Sequence, residues 1–202
     1  MGIAERKERE KTEMRDLILQ AATELFVERG YDDTSIRTIA EKIEYSPATI
    51  YLYFKDKPEL FHAMMDHAFS LLIEKFSVVD KSAHPIEQLR QLGQVYMKYA
   101  LENPALYDLM FIMRKPMDHV ACAEDWDCGL QAYHFLYTII ETCMQQELVR
   151  FTDAHVGAIT VWSHLHGLIA LNLRGRFVMI PEEMHAPLIQ ASIDSIIEII
   201  QN

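Results

Sequence analysis

The 202-residue chain has few of the residues that interrupt helices, with seven glycines and seven prolines. Its three cysteines are odd in number and lack zinc or redox spacing, which argues against a fold built on disulfides or zinc. No stretch reaches the roughly 20 uninterrupted apolar residues that a membrane helix needs, and the first residues contain no signal-peptide core. We therefore expect a cytoplasmic protein that does not contact a membrane.

The chain also lacks an excess of positive charge. Its formal net charge is −11, and acidic side chains outnumber basic ones even within the first 62 residues. Proteins that coat nucleic acid without sequence preference usually carry a clear positive excess. Any contact with DNA must therefore depend on a few placed cations and on hydroxyl groups.

Helical periodicity, in contrast, extends over almost the whole chain. Half of the residues are hydrophobic, and they recur at steps of three and four, which predicts an all-α fold of about nine helices. The first helix ends at Gly30, and a second begins after Thr34 or Ser35. Later helices are predicted from Ser46, from Asp56, at residues 86–102, 104–114 and 122–148, from Asp153 to Arg174, and at 188–201.

The segment SPATIYLYFKDK, residues 46–57, predicts a short helix with two different sides. Ser46 is a good N-cap, and proline is well placed at the first helical position. At about 100° per residue, Ile50 and Phe54 share one side and Leu52 points the opposite way. So short a helix must dock through its apolar side, which leaves a small, hydroxyl-bearing side outward. That arrangement suits the second helix of a helix-turn-helix, although spacing alone equally fits a bundle with surface Tyr and Lys.

The run TSIRTIAEKIEYSPATIYLYFKDKPEL, residues 34–60, resembles the signature of the TetR family of bacterial transcriptional repressors. The preceding LFVERGYDDTS resembles the end of that family's first helix. The resemblance implies a helix-turn-helix DNA-binding domain over residues 1–62 and a ligand-binding and dimerisation domain over residues 63–202. It implies that DNA is bound by Thr34, Arg37, Ser46, Pro47, Ala48, Thr49, Tyr51, Tyr53, Lys55 and Lys57.

Two positions depart from the family pattern. Glu44 and Ala48 stand where the family usually has glycine. We expect either that Glu44 adopts a strained backbone conformation or that the turn differs in detail.

The C-terminal part is rich in methionine and aromatic residues, most of which would form the core of any helical bundle. In TetR-like proteins these helices enclose a small-molecule pocket, and the segment WSHLHG, residues 162–167, resembles the Trp, His-Gly signature of one TetR C-terminal subgroup. The resemblance implies a small-molecule effector. An apolar pocket with polar Tyr and His atoms suits a hydrophobic or aromatic compound, whereas the acidic balance mildly favours a cationic one. The residues predicted to bind it are Tyr96, Met110, Phe111, Trp126, Tyr133, Trp162 and His166.

The closing helix carries more apolar surface than one packed face requires, which indicates a second partner. The resemblance implies that the last two helices pair with their copies in a homodimer on double-stranded DNA. The predicted interface residues are Val161, Leu165, Leu168, Ile189, Ile193, Ile196 and Ile200.

Two rival functions are considered. Glu59 and His62 match half of a di-iron motif, but a second copy is missing, and His119, Cys122 and Cys128 lack a fourth ligand and a known zinc spacing. We therefore predict no enzyme, no metal and no cofactor. The other rival is a helical small-molecule-binding dimer without specific DNA recognition, suggested by the acidic first part and the two missing glycines. The prediction is a ligand-responsive regulator that represses from a palindromic operator.

Overall fold

The computed structural model describes residues 2–112 and 127–202, and within these ranges it contains nine α-helices and one isolated antiparallel bridge, Val149 with Gln201. The prediction of an all-α fold is confirmed. A short 3-10 helix, Glu182–Met184, precedes the last α-helix. The α-helices are α1 (Ile3–Arg29), α2 (Ile36–Lys42), α3 (Pro47–Tyr51), α4 (Lys57–Phe76), α5 (Pro85–Glu102), α6 (Pro104–Phe111), α7 (Asp127–Gln145), α8 (Ala154–Leu173) and α9 (His185–Ile200).

The described residues divide into two compact units. The first contains residues 2–68 and 105–112, and the second contains residues 69–104 and 127–202. The division falls within α4, between residues 68 and 69. Nearly all of α6 belongs to the first unit, although the sequence-based boundary after residue 62 assigned it to the second part.

The first unit is held together by an apolar core that all four N-terminal helices share. Ile39 of α2 and Ile50 of α3 are completely buried, as is Leu60 of α4. Phe26 of α1 stacks on Tyr31 at 5.4 Å between ring centroids, and Phe61 of α4 meets Tyr31 edge-on at 5.3 Å. These contacts bury one side of each helix, so the remaining sides are available to solvent.

Side-chain caps fix the first residue of three successive helices. The Ser35 hydroxyl accepts a hydrogen bond from the Thr38 amide at 3.1 Å, which identifies Ser35, and not Thr34, as the cap of α2. The Ser46 hydroxyl accepts from the Thr49 amide at 3.3 Å, and an Asp56 carboxylate oxygen accepts from the Glu59 amide at 2.8 Å. Each cap typically contributes about 1 kcal/mol to helix stability.

The turn between α2 and α3 is a Schellman motif around Glu44. The Tyr45 amide donates to the Ala40 carbonyl at 2.9 Å, and the Glu44 amide donates to the Glu41 carbonyl at 3.2 Å. Glu44 has φ 61°, the left-handed conformation in which glycine is normally found. Of the two outcomes expected for this turn, the structure shows the strained backbone conformation at Glu44.

In the second unit α5, α7, α8 and α9 pack as a bundle. The α7–α8 contact is especially close at Gly157, where a Cβ would lie 2.7 Å from Ile140 and 2.8 Å from Phe151. Helix α8 is long and apolar enough, by length and composition, to cross a membrane. It packs against three other helices, and we therefore interpret it as a bundle helix.

The predicted dimer stripe lies inside the chain. Ile189, Ile193, Ile196 and Ile200 are at most 9 % exposed, and Val161 and Leu165 of α8 are at most 5 % exposed. Only Leu168 is half-buried. The stripe fills the bundle core, because α9 packs on α5 and α8 of its own chain, so the prediction that these six residues form an intersubunit surface is wrong.

Replacing Glu44 with glycine should stabilise the protein. A non-glycine residue in the left-handed region destabilises the folded state by roughly 1 kcal/mol. Glycine removes this cost, but part of the gain is lost because glycine gives the unfolded chain more conformational freedom. We expect Glu44→Gly to raise the free energy of unfolding by about 0.5 kcal/mol, measured by urea denaturation at fixed protein concentration. Glu44→Ala keeps the Cβ and should give no gain. An equal gain from both variants would show that the carboxylate, and not the backbone, is the source of strain.

Candidate functional site

Helix α3 presents one buried side and one exposed side, as its sequence predicts. Ile50 is completely buried, Phe54 just beyond the helix is 3 % exposed, and the Arg15 guanidinium lies 5.4 Å above the Phe54 ring. On the other side Tyr51 is 54 % exposed and Leu52 is 81 % exposed. The helix has only five residues, so its packing has to hold it in place.

Hydroxyl groups surround the start of α3. The Ser46 and Thr49 hydroxyls lie 3.1 Å apart, and Ser46 also caps the helix. Pro47 and Ala48 are exposed between them, while Thr49 and Tyr53 are half-buried. The structure thus places these predicted DNA-binding residues on or near one surface.

Thr34 does not belong to this surface. Its side chain is 1 % exposed, and its hydroxyl lies 2.8 Å from the Gly30 carbonyl oxygen and 3.1 Å from that of Leu25. It fastens the end of α1 to the start of α2, so the prediction that Thr34 contacts DNA is withdrawn.

Two of the predicted cations are exposed. Arg37 forms an ion pair with Glu41 at 2.9 Å, with 80 % of its own side chain exposed. Exposed pairs of this kind contribute about 0–1 kcal/mol, so a phosphate can replace Glu41 at little cost. Lys55 is also exposed, directly before α4.

Lys57 has a structural contact besides its predicted role. Its ammonium lies 4.1 Å above the Tyr31 ring at the first turn of α4. A cation at this distance from an aromatic ring is attracted to it by about 0.5–1 kcal/mol at a partly exposed site. Lys57 therefore helps to join the start of α4 to the end of α1.

Two exposed residues near this surface stand outside the predicted DNA-binding set, although the sequence already indicated that Leu52 faces outward. Tyr45 is 46 % exposed in the turn before the Ser46 cap, and Leu52 follows the last residue of α3. The signal for Leu52 was present, since it lies opposite Ile50 on the helix.

A second cluster joins Tyr96 of α5 to Trp162 and His166 of α8. The Trp162 indole N–H lies 3.2 Å from the Tyr96 hydroxyl oxygen, which lies 3.3 Å from His166 Nδ1. Because an indole N–H can only donate, the Tyr96 oxygen accepts from it and can donate its own proton to His166 Nδ1. This chain requires Nδ1 to be unprotonated. Burial lowers the pKa of His166, which likewise favours the neutral ring.

Tyr133 of α7 extends the cluster, with its ring centroid 6.5 Å from that of Trp162 and its hydroxyl 2.8 Å from His155 Nδ1. Burial, followed by the nearby Tyr137 and Asp153, raises the pKa of Tyr133. Four of the predicted effector residues therefore come together. Met110 and Phe111 lie in α6, within the first unit, and Trp126 lies outside the described residues.

Comparison with known proteins assigns both parts of the chain. Residues 18–64 match the model of "Bacterial regulatory proteins, tetR family", and residues 89–196 match "Tetracyclin repressor-like, C-terminal domain". The chain belongs to the TetR family. It is therefore a DNA-binding transcriptional regulator with a helix-turn-helix, in a family whose members are not enzymes.

Individual relatives of this TetR-family regulator are distant. An uncharacterised HTH-type transcriptional regulator of Haemophilus influenzae is 29 % identical over 97 residues, which cover 48 % of this chain and 52 % of the relative. The chain thus matches about half the length of such curated relatives. A TetR family transcription regulator of Marinobacter aquaeolei superposes with a TM-score of 0.78 at 20 % identity, covering 97 % of this chain and 99 % of its own. PfmR of Thermus thermophilus gives 0.69 at 23 % identity, covering 90 % of this chain and 97 % of its own.

Metal binding gains no support from the part of the TetR-family regulator that the structure describes. Residues 2–112 and 127–202 contain no group of three or more His, Cys, Asp or Glu that could hold a metal ion. Of the rival metal ligands, His119 and Cys122 lie outside the described residues. Cys143 is buried, and burial raises its thiol pKa to about 11, so it behaves as a small apolar side chain.

Two neighbouring residues of α3 should have opposite roles. Tyr51→Ala removes an exposed ring, so it should leave thermal stability nearly unchanged and weaken operator binding at least about tenfold, measured by fluorescence anisotropy. Ile50→Ala opens a cavity in the core, so it should lower the free energy of unfolding by about 3 kcal/mol. If Tyr51→Ala bound DNA as tightly as the wild type, Tyr51 would not be part of the DNA-binding surface.

Proposed function

We propose that this TetR-family regulator is a cytoplasmic repressor that binds a palindromic operator as a homodimer and releases it when a small hydrophobic effector binds. The observation that carries the proposal is the outward side of α3. It combines exposed Ala48 and Tyr51 with the hydroxyls of Ser46 and Thr49, while Ile50 holds the helix on the protein. Arg37 and Lys55 then supply charge for the DNA backbone at the edges of this surface.

The dimer surface that we propose is the exposed side of α8 and α9, in place of the buried stripe. Helix α8 has no charged residue between Ala154 and Leu173, yet only 28 % of its most apolar stretch is buried within the chain. Helix α8 exposes Val156, Ile159 and Leu171, and α9 likewise exposes Leu188 and Ile199. A second copy that covers this surface would remove apolar area from water on both chains.

A hydrogen-bonded contact joins the two helices of that surface. The His164 Nε2 atom of α8 lies 3.1 Å from the Ser192 carbonyl oxygen and 3.2 Å from the Ser192 hydroxyl of α9. This contact supports treating α8 and α9 as one dimerisation surface. In a two-fold dimer the two α3 helices would meet half-sites about 34 Å apart, one turn of DNA, or somewhat more.

The effector site that we propose includes Tyr96, Tyr133, Trp162 and His166. Their rings offer flat apolar surface, and their polar atoms hydrogen-bond to one another or to His155. A neutral His166 brings no charge to the cluster, which favours an uncharged hydrophobic effector. Helix α4 contributes residues to both units without a break. A shift of its C-terminal half on effector binding would therefore also displace its N-terminal half, which belongs to the DNA-binding unit.

Selection from random duplex DNA tests the proposed function. We expect the wild-type protein to enrich an inverted repeat whose half-site centres are about one helical turn apart. A hydrophobic compound that releases this DNA should lose its effect in Trp162→Leu, while operator affinity without the compound stays unchanged. Failure to enrich any palindrome, with compound binding retained, would favour a small-molecule-binding dimer that does not recognise DNA specifically.

Charges placed on the exposed side of α8 and α9 should separate the subunits. We expect Ile159→Asp and Ile199→Asp together to convert a dimer into a monomer of 23.5 kDa at micromolar concentration, measured by light scattering. Circular dichroism should still show a helical chain, because both residues are exposed in the single chain. Val78→Asp is the matched control, since Val78 is 68 % exposed between α4 and α5 and lies outside the proposed surface. A double variant that remained dimeric would rule this surface out.

A further inference from the structure

The segment that carries α3 lacks the side chains that usually distinguish bases. From Tyr45 to Phe54 the chain contains no Arg, Lys, Asn, Gln, Asp, Glu or His. In the major groove, guanine is most often recognised by Arg or Lys, and adenine by Asn or Gln, through paired hydrogen bonds. The outward side of α3 can make neither contact, so it must distinguish bases in another way.

The most exposed large hydrophobic side chain in this segment is an aliphatic one. Leu52 is 81 % exposed, immediately after the last residue of α3, while Ile50 and Phe54 fill the core. Leu52 lies about 200° around the helix from Ile50, on the side that also carries the exposed Ala48. An isobutyl group in water contributes almost nothing to the stability of the fold, so packing does not explain a leucine at this position.

Among the groups that base edges present in the major groove, the C5-methyl of thymine is the one that an aliphatic side chain can contact favourably. Guanine offers only acceptors there, and the amino groups of cytosine and adenine would lose hydration beside a leucine without gaining a partner. A contact with Leu52 therefore favours thymine, because the leucine contacts the methyl group favourably and because placing it beside another base is unfavourable.

We propose that this regulator recognises its operator through thymine methyl groups, with Leu52 as the specificity-determining residue and Ala48 contacting a second thymine. The proposal rests on the proposed binding of DNA through α3. Ala48 and Leu52 are one helical turn apart, about 6 Å along the axis, against about 3.4 Å per base pair. The two thymines should therefore be one or two base pairs apart in each half-site. The Thr49 and Tyr51 hydroxyls are then available for the phosphates that fix the position of the helix.

Deoxyuridine tests the proposal, because it differs from thymidine only in lacking the methyl group. The selected operator is synthesised with single thymidines replaced by deoxyuridine, and affinity is measured by fluorescence anisotropy at one fixed salt concentration. Loss of one buried methyl should weaken binding by the wild-type protein about fourfold at one thymine in each half-site. In Leu52→Ala the same replacement should change the affinity less than about 1.5-fold, since the side chain that covered the methyl is absent.

Two further variants separate the possible results. Val78→Ala, which shortens an exposed aliphatic side chain of the second unit, should keep the full response to deoxyuridine. Ala48→Gly should lose the response at the second thymine only. Tight and specific binding with no response to deoxyuridine at any position would overturn the proposal while leaving the DNA-binding function intact. A response that is unchanged in Leu52→Ala would also overturn it, whereas failure to select any operator would contradict the proposed function itself.

Discussion

Burial of Ile50 and Phe54 is the contact on which the rest of the DNA-binding unit depends. A helix of five residues cannot form alone in water, because too few hydrogen bonds offset the entropy of ordering its backbone. Burying two large apolar side chains contributes roughly 1.5–3 kcal/mol each, and the caps at Ser46 and Asp56 fix where α3 and α4 begin. Buried side chains therefore hold the exposed residues of α3 in position.

The polar residues around this helix likewise divide into residues that hold the unit together and residues that are exposed. Thr34 and Lys57 belong to the family pattern, yet Thr34 closes the junction of α1 and α2, and Lys57 lies on the Tyr31 ring. Glu44 keeps the left-handed turn that a glycine would form without strain, and Tyr45 and Ala40 complete its hydrogen bonding. A signature of this kind therefore combines residues that build the unit with residues that are left free to contact a ligand.

Helical periodicity and capping residues predicted the elements well, since both are local properties. The cap at Asp153 is an example, because its carboxylate accepts from the Val156 amide at 3.0 Å as expected. Sequence reasoning failed where partners come from distant helices. The isoleucine stripe of α9 indicated a large apolar surface, but only the packing of α9 on α5 and α8 shows that this stripe serves the chain's own core. Similarly, Tyr96, Trp162 and His166 were selected by residue type, while their hydrogen-bonded chain depends on the approach of α5 to α8.

The acidic composition has a consequence for the way such a protein finds its site. Each cation that neutralises a phosphate releases counterions, and this sequence-independent gain is what holds a protein on random DNA while it slides. With a net charge of −11 and only a few exposed cations near α3, that gain is small. If the proposed operator binding holds, we therefore expect brief encounters with unrelated DNA and a residence time governed by the match between bases and side chains.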